Sequence, residues 1–148
     1  MKQRLHVITL AVDDLERALA FYRDGLGFRS KGIVGSEWSD ERTGANGAIA
    51  LFELDNGLIL SLYPRRDLAL DAEIDLHPAQ PGAFSLGKLV QSRGEVDELL
   101  RRAEAAGATV TQAHDRPWGI YSGYFHDPDG HLWEVIWNPT RVPPPASI

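Results

Sequence analysis

The chemistry this sequence can offer centres on one carboxylate. Glu134 closes the segment Asp127-Pro128-Asp129-Gly130-His131-Leu132-Trp133-Glu134, a tight turn feeding an apolar run. Side chains alternate along a strand, so Glu134 shares a face with Leu132 and Ile136 while His131, Trp133, Val135 and Trp137 point the other way. A carboxylate among apolar neighbours loses solvation, and its charged form then needs a cation or a hydroxyl beside it. Such a group can act as a general acid or base, can fix a polar group of a bound molecule, or can be a hydrogen-bonded remnant without chemistry.

The histidines divide by position. His131 lies three residues from Glu134 and has the opposite parity; His126 precedes the turn, where capping is its ordinary role; His77 sits in a polar stretch and should be solvated. His114 opens the run His114-Asp115-Arg116-Pro117-Trp118-Gly119-Ile120-Tyr121, a loop rich in groups able to contact a ligand. Trp118 and Tyr121 carry weight there because a loop needs aromatic rings less than a core does. The absence of cysteine excludes disulfides, thiolate metal ligands and a thiol nucleophile together. Neither a Gly-rich phosphate loop nor a nucleophile elbow is present, which sets aside nucleotide hydrolysis and serine esterase chemistry.

The elements that must position these groups repeat. Residues 5–12 read as a buried strand stopping at Asp13-Asp14. A helix follows, capped by Asp13 with Glu16 three residues on, and it presents Leu15, Ala18, Leu19, Tyr22 and Leu26 on one face until Gly25 and Gly27 end it. Strands follow over 28–34, 47–54 and 58–63, the last two joined by an Asp55-Asn56-Gly57 hairpin turn. From Phe84 the order recurs: a strand to Val90, a capping box at Ser92 and Glu95, a helix facing inward through Val96, Leu99, Leu100, Ala103 and Ala106, a closing Gly107, and strands over 109–112, 121–125 and 131–137. The fold class is therefore α+β, two β-α-β-β-β units in one domain: repeat one 5–63, a linker 64–83 with a helical turn over 67–72, repeat two 84–137, and a proline-rich tail 138–148 expected to be extended and mobile.

A chain of 148 residues with a formal charge of −6 fits one domain and lacks the clustered cations that a phosphate backbone requires, so nucleic acid is not an expected partner. No apolar run reaches the roughly 20 residues of a spanning helix. Met1-Lys2-Gln3-Arg4 leads straight into a strand pattern instead of a signal peptide, so the expected location is the cytoplasm, with no membrane partner.

These two units, the Ala20-Phe21-Tyr22 and Leu26-Gly27-Phe28 runs of the first helix, and the segment from Trp118 to Val135 resemble the vicinal oxygen chelate superfamily, which includes glyoxalase I, bleomycin-resistance proteins, fosfomycin-resistance enzymes and extradiol dioxygenases. The resemblance spans 5–139 and points to a glyoxalase-like branch. It implies paired half-open sheets around a cavity, a homodimer, and four positions able to hold a divalent metal, one in each first strand and one in each last strand. Trp38, Phe52, Trp118, Tyr121, Tyr124 and Trp137 lie on or beside strands that would enclose such a cavity.

Relatives place the first ligand His five residues before the Val that ends the first strand. Here that Val is Val12 and the position is Val7; His6 is one residue off and should face with Ile8, Leu10 and Val12 unless a bulge re-aims it. The same offset before Val90 gives Ser85, and aligning the hairpins on Gly57 and Gly130 sets Ser61 opposite Glu134. Val7, Ser61, Ser85 and Glu134 make a poor divalent site, since zinc wants about four N, S or O donors and non-haem iron a facial set of two His and a carboxylate. The resemblance thus implies no cofactor and a small-molecule ligand contacted by Glu134, Thr9, Ser61, Ser85, His114, Trp118, Tyr121 and Tyr124, uncharged or cationic to suit the carboxylate. The alternative is a metal-dependent lyase, isomerase or dioxygenase whose ion is held by Glu134 with His6 or His126.

Overall fold

The computed structural model describes residues 1–78 and 80–145; Ala79 of the predicted linker and residues 146–148 of the predicted tail lie outside the described residues. The chain divides into two compact units, Met1–Ala79 and Gln80–Ile148, with the boundary inside the 64–83 linker.

The first unit contains β1 (Val7–Val12), α1 (Leu15–Leu19), β2 (Ile33–Val34), β3 (Ile49–Glu53), β4 (Ile59–Pro64) and α2 (Arg65–Ala72). Its sheet has the order β1-β4-β3-β2, with β1 and β4 parallel and the remaining pairs antiparallel. Asp14, the last extended residue, caps α1 by accepting the Arg17 N–H at 3.0 Å. Asp13, the expected cap, lies one residue too early and meets Arg65 at 2.8 Å. The helix then widens over Ala20–Gly25, where the Leu26 N–H reaches back to the Phe21 carbonyl, and Gly27 at φ 81° ends it. This wide turn buries both Phe21 and Tyr22, and the Tyr22 ring lies 6.0 Å from Phe52. Phe28 also turns into this cluster, 6.1 Å from Tyr22, so β2 is only two residues long where alternation predicts a strand from 28. Leu10, Val12, Ala50, Phe52, Leu60 and Leu62 form the buried face; Val7, Thr9, Leu51 and Ser61 occupy the other. The helical turn predicted over 67–72 is part of the two-turn helix α2, whose buried Asp67 accepts the Asn46 N–H at 2.9 Å.

The second unit contains β5 (Leu86–Leu89), α3 (Arg93–Ala105), β6 (Thr109–Val110), β7 (His114–Asp115), β8 (Tyr121–His126) and β9 (Leu132–Trp137), with β5 and β9 parallel in a sheet of order β5-β9-β8-β6 and β7 also paired to β8. Ser92 caps α3 by accepting the Glu95 N–H at 3.1 Å, while the Glu95 carboxylate reaches back to the Gln91 N–H at 2.7 Å, one residue before the reciprocal donor of a standard capping box. Val96, Leu100 and Ala103 of α3 are buried, as are Phe125, Trp133 and Val135 of the sheet, where the Phe125 and Trp133 rings stack at 5.7 Å. Gly123 makes this packing possible: a Cβ there would stand 2.7 Å from Leu100 Cδ1 and 3.1 Å from the Ala113 Cα. Beyond β9, the described part of the tail is tied back. Asn138 Oδ1 accepts from the Thr140 N–H and hydroxyl, and the Gln91 amide donates to the Pro143 carbonyl at 3.3 Å.

The duplication extends to register. Thr9, three residues before Val12, faces Ser61, four after Gly57; Gly87, three before Val90, faces Glu134, four after Gly130. Among the described residues no helix is long and apolar enough to cross a membrane.

Candidate functional site

The turn that opens the signature sets the geometry of the site. Asp127 is buried, and its Oδ1 accepts the N–H groups of Asp129 at 3.0 Å and His131 at 2.8 Å, while its carbonyl accepts from Gly130 at φ 87°. This closes a hairpin in which His126 faces Leu132, Tyr124 faces Glu134 and Ser122 faces Ile136. Directly opposed residues of an antiparallel pair share a face, so Tyr124, Ser122 and His126 lie on the side of Glu134, away from α3.

Glu134 is half-buried at the centre of that face. The fully buried Ser122 hydroxyl donates to its Oε2 at 2.8 Å. Tyr124 stands directly opposite Glu134 across the hairpin, and its phenol is held above the usual tyrosine range by burial first, then by its interaction with Glu134, against the opposing pull of Arg116. The Arg116 guanidinium stands over the Tyr124 ring, 5.7 Å from its centre, and its Nη2 donates to the Ser122 carbonyl at 3.4 Å. Carboxylate, two hydroxyls and a guanidinium thus form one connected cluster. The hydroxyl that alternation and hairpin alignment bring to Glu134 is Ser61 or Ser85; the one that reaches it here is Ser122. Ser122 was legible as the residue two before Tyr124 on the same strand.

A β-bulge puts Arg116 there. Val110 faces Phe125, so an unbroken ladder would set Ala113 opposite Ser122; His114 stands there instead. The extra residue lies in 111–113, where the Thr111 hydroxyl accepts the Tyr124 N–H at 2.9 Å and the Thr111 N–H donates to the Tyr124 carbonyl. The slip turns His114 and Arg116 onto the face of Glu134, and it makes a short strand, β7, of the start of the predicted loop.

Other predicted site residues are distributed differently. Tyr121 is on the opposite face from Tyr124: its hydroxyl donates to Asp97 of α3 at 2.7 Å, and the Arg93 guanidinium lies 4.3 Å from its ring centre and 2.6 Å from Asp115. Trp137 also lies by Arg93, 5.9 Å from ring centre to guanidinium, and Phe52 is in the first core, so neither supports Glu134. Trp118 is 89% exposed and holds a left-handed backbone, φ 62° and ψ 26°, which is uncommon and strained for a bulky side chain. Trp38 is likewise exposed. Thr9 and Ser61 bond to each other at 2.6 Å in the first sheet. Ser85 is exposed one residue ahead of β5, in phase with Gly87 and so with Glu134.

The four metal positions can be tested by their donors. In the first unit β1 pairs one for one with β4 from Val7 to Val12, so no bulge re-aims His6, and the positions hold Val7 and a Ser61 hydroxyl already engaged by Thr9. In the second they hold Ser85 and Glu134, with His126 diagonal to Glu134 on the same face. Within each unit these positions offer at most one carboxylate with one hydroxyl, which does not fit a tightly held transition metal. Among the described residues, no three His, Asp or Glu side chains gather as a metal site.

Comparison with known proteins agrees with this architecture. The family profile of the Glyoxalase/Bleomycin resistance protein/Dioxygenase superfamily matches residues 4–135. A glyoxalase-related enzyme from Fulvimarina pelagi is 30% identical, with 93% of this chain and 90% of that chain covered and a TM-score of 0.76. A lactoylglutathione lyase from Agrobacterium tumefaciens is 28% identical, with 93% and 95% covered and a TM-score of 0.63. A fosfomycin resistance protein from Listeria monocytogenes, 24% identical with 93% and 95% covered and a TM-score of 0.66, shares the fold. With two β-α-β-β-β units in matching register and a family match over nearly its whole length, the chain belongs to the glyoxalase/bleomycin resistance/dioxygenase superfamily.

Proposed function

We propose that this protein binds a small organic molecule on the Glu134 face of its second sheet, with Glu134 as the principal polar contact and no catalytic metal among its requirements. The observation that carries this reading is the state of Glu134. It is half-buried, oriented by the Ser122 hydroxyl with Tyr124 directly opposite, and no ion pair with Lys, Arg or His engages it among the described residues. A carboxylate positioned this way, with an accessible edge, is suited to accept a hydrogen bond from a ligand hydroxyl, amide or ammonium group. Leu89, Leu132 and Ile136 share its face and offer apolar surface beside it. Exposed Trp118, held in a strained turn on the loop that carries Arg116, is an aromatic side chain that this loop can offer to a ligand.

A second reading, a metal-dependent lyase, isomerase or dioxygenase, draws on His126 sharing the face of Glu134 and on the fosfomycin resistance protein, a mutant of which was solved with Mn(II) and 1S,2S-dihydroxypropylphosphonic acid. A thermal-shift screen of small organics, run with chelator and with Zn, Ni, Mn or Fe on untagged protein, separates the two. Saturating ligand at about 100 times its Kd should stabilise the protein by roughly 2.7 kcal/mol in chelator, an effect lost in Glu134→Gln. One equivalent of tightly bound metal that Glu134→Gln releases would overturn the metal-free reading.

A further inference from the structure

The arginine beside Glu134 lacks the partner that other arginines of the chain have. Arg23, Arg29, Arg42, Arg65, Arg66 and Arg93 each sit against an aspartate or glutamate. Among the described residues Arg116 does not, although the chain carries a net charge of −6. Its side chain is half-buried and fixed between the Tyr124 ring and the Ser122 carbonyl, its one hydrogen bond is long at 3.4 Å, and its buried Nε has no hydrogen-bond partner among the described residues. A guanidinium removed from water in part and given one neutral acceptor is under-satisfied, because its fork of donors suits a carboxylate. Glu134 is held by the same two residues that hold Arg116, yet no ion pair joins the two charges. A cation and an anion fixed on neighbouring supports, and not spent on one another, form a two-point recognition surface.

From this we infer that the ligand is a small organic acid bearing a hydroxyl or ammonium group close to its carboxylate: the carboxylate pairs with Arg116, the hydroxyl or ammonium donates to Glu134, and the carbon skeleton lies on Leu89, Leu132 and Ile136. This rests on the binding reading above and narrows it, replacing an uncharged or cationic ligand by one that also carries an anion. The β-bulge at 111–113 is the device that makes the site, since without it Arg116 would face α3.

Mandelate, mandelamide and phenylacetate test it as a matched set that removes the charge or the hydroxyl in turn, with binding followed by calorimetry or by amide NMR shifts of the second unit. Mandelate should bind at least about tenfold more tightly than either analogue, the worth of one charge-assisted hydrogen bond. In Arg116→Gln mandelate and mandelamide should bind alike, and in Glu134→Leu, which removes the acceptor, mandelate and phenylacetate should bind alike. Arg116→Lys, which keeps the charge but loses the fork, should fall between the unsubstituted protein and Arg116→Gln, and it serves if Gln impairs folding. Equal binding of mandelate and mandelamide, or a preference that survives both Arg116 variants, overturns the inference and leaves the Glu134 binding reading standing. No binding by any of the three at millimolar concentration also overturns it; the broader reading falls only if the organic screen is empty as well.

Discussion

Replacing Ser122 by alanine removes one oxygen from a fully buried position and with it the hydrogen bond of 2.8 Å to Glu134 Oε2. A hydrogen bond to a charged group is worth about 1.5–3 kcal/mol. Glu134 is only half-buried and keeps Tyr124 opposite it, so water can replace part of the loss, and the expected destabilisation lies at or just below the lower end of that range, about 1–1.5 kcal/mol. For a chain of this length that is a fall in Tm of roughly 3–5 °C. The stringent form of the test is a double-mutant cycle with Glu134→Leu, which removes the acceptor, followed by urea midpoints at unchanged slope. If the pair is bonded as described, the coupling should be about 1 kcal/mol. Any ligand found for the Glu134 face should bind Ser122→Ala several-fold more weakly, because the carboxylate has lost its orienting hydroxyl. Additivity within about 0.3 kcal/mol would mean that Ser122 and Glu134 act independently, and the reasoning that makes Glu134 an oriented acceptor would fail.

Three further outcomes follow from the same face and its supports. Gly123→Ala should destabilise by about 1–3 kcal/mol, because its Cβ would meet Leu100 Cδ1 at 2.7 Å and the Ala113 backbone at 3.1 Å; a smaller loss for Gly123→Ala in a Leu100→Ala background would confirm the clash, and a neutral Gly123→Ala alone would refute it. Thr111→Val deletes the acceptor of the Tyr124 N–H within the bulge and should cost about 1–3 kcal/mol in urea unfolding, with the amide shifts of Arg116 and Tyr124 moving together; unmoved Arg116 shifts would show that the bulge is held by something else. Burial and Glu134 raise the Tyr124 phenol, so the folded state keeps that proton to higher pH than the unfolded chain does. Its stabilising contribution is full below the ordinary tyrosine value of about 10 and is lost as pH rises through the folded value, so Tyr124→Phe should flatten the alkaline fall in stability; a curve unchanged by the substitution would count against the described burial.

Much of the second unit's geometry was legible because its signals are local. The Asp127-Pro128-Asp129-Gly130 turn closes over a distance the backbone itself dictates, and once it closes, alternation puts Glu134 with Leu132 and Ile136 on the face away from α3. Gly57 and Gly130 likewise mark equivalent points, and counting from them predicts the correspondence of Ser61 with Glu134 that the strand registers reproduce. Tyr121 illustrates the limit. Proximity in sequence grouped it with Tyr124, but three residues on a strand reverse the face, and its hydroxyl goes to Asp97. Phe28 illustrates another: its pattern reads as strand, yet the aromatic cluster with Tyr22 and Phe52 draws it out of the ladder.

By itself, then, the amino-acid order determined the two units, the turn, and the side of the sheet on which Glu134 lies, since each depends on spacing within one element or on residue type alone. Only the tertiary structure decided what surrounds Glu134. The bulge between β6 and β7 is a one-residue slip between strands, set by the Thr111 hydroxyl competing for the Tyr124 N–H, and no periodicity in either strand records it. That slip brings Arg116 over Tyr124 and converts a lone acidic residue into a carboxylate and a guanidinium flanking the same tyrosine and serine.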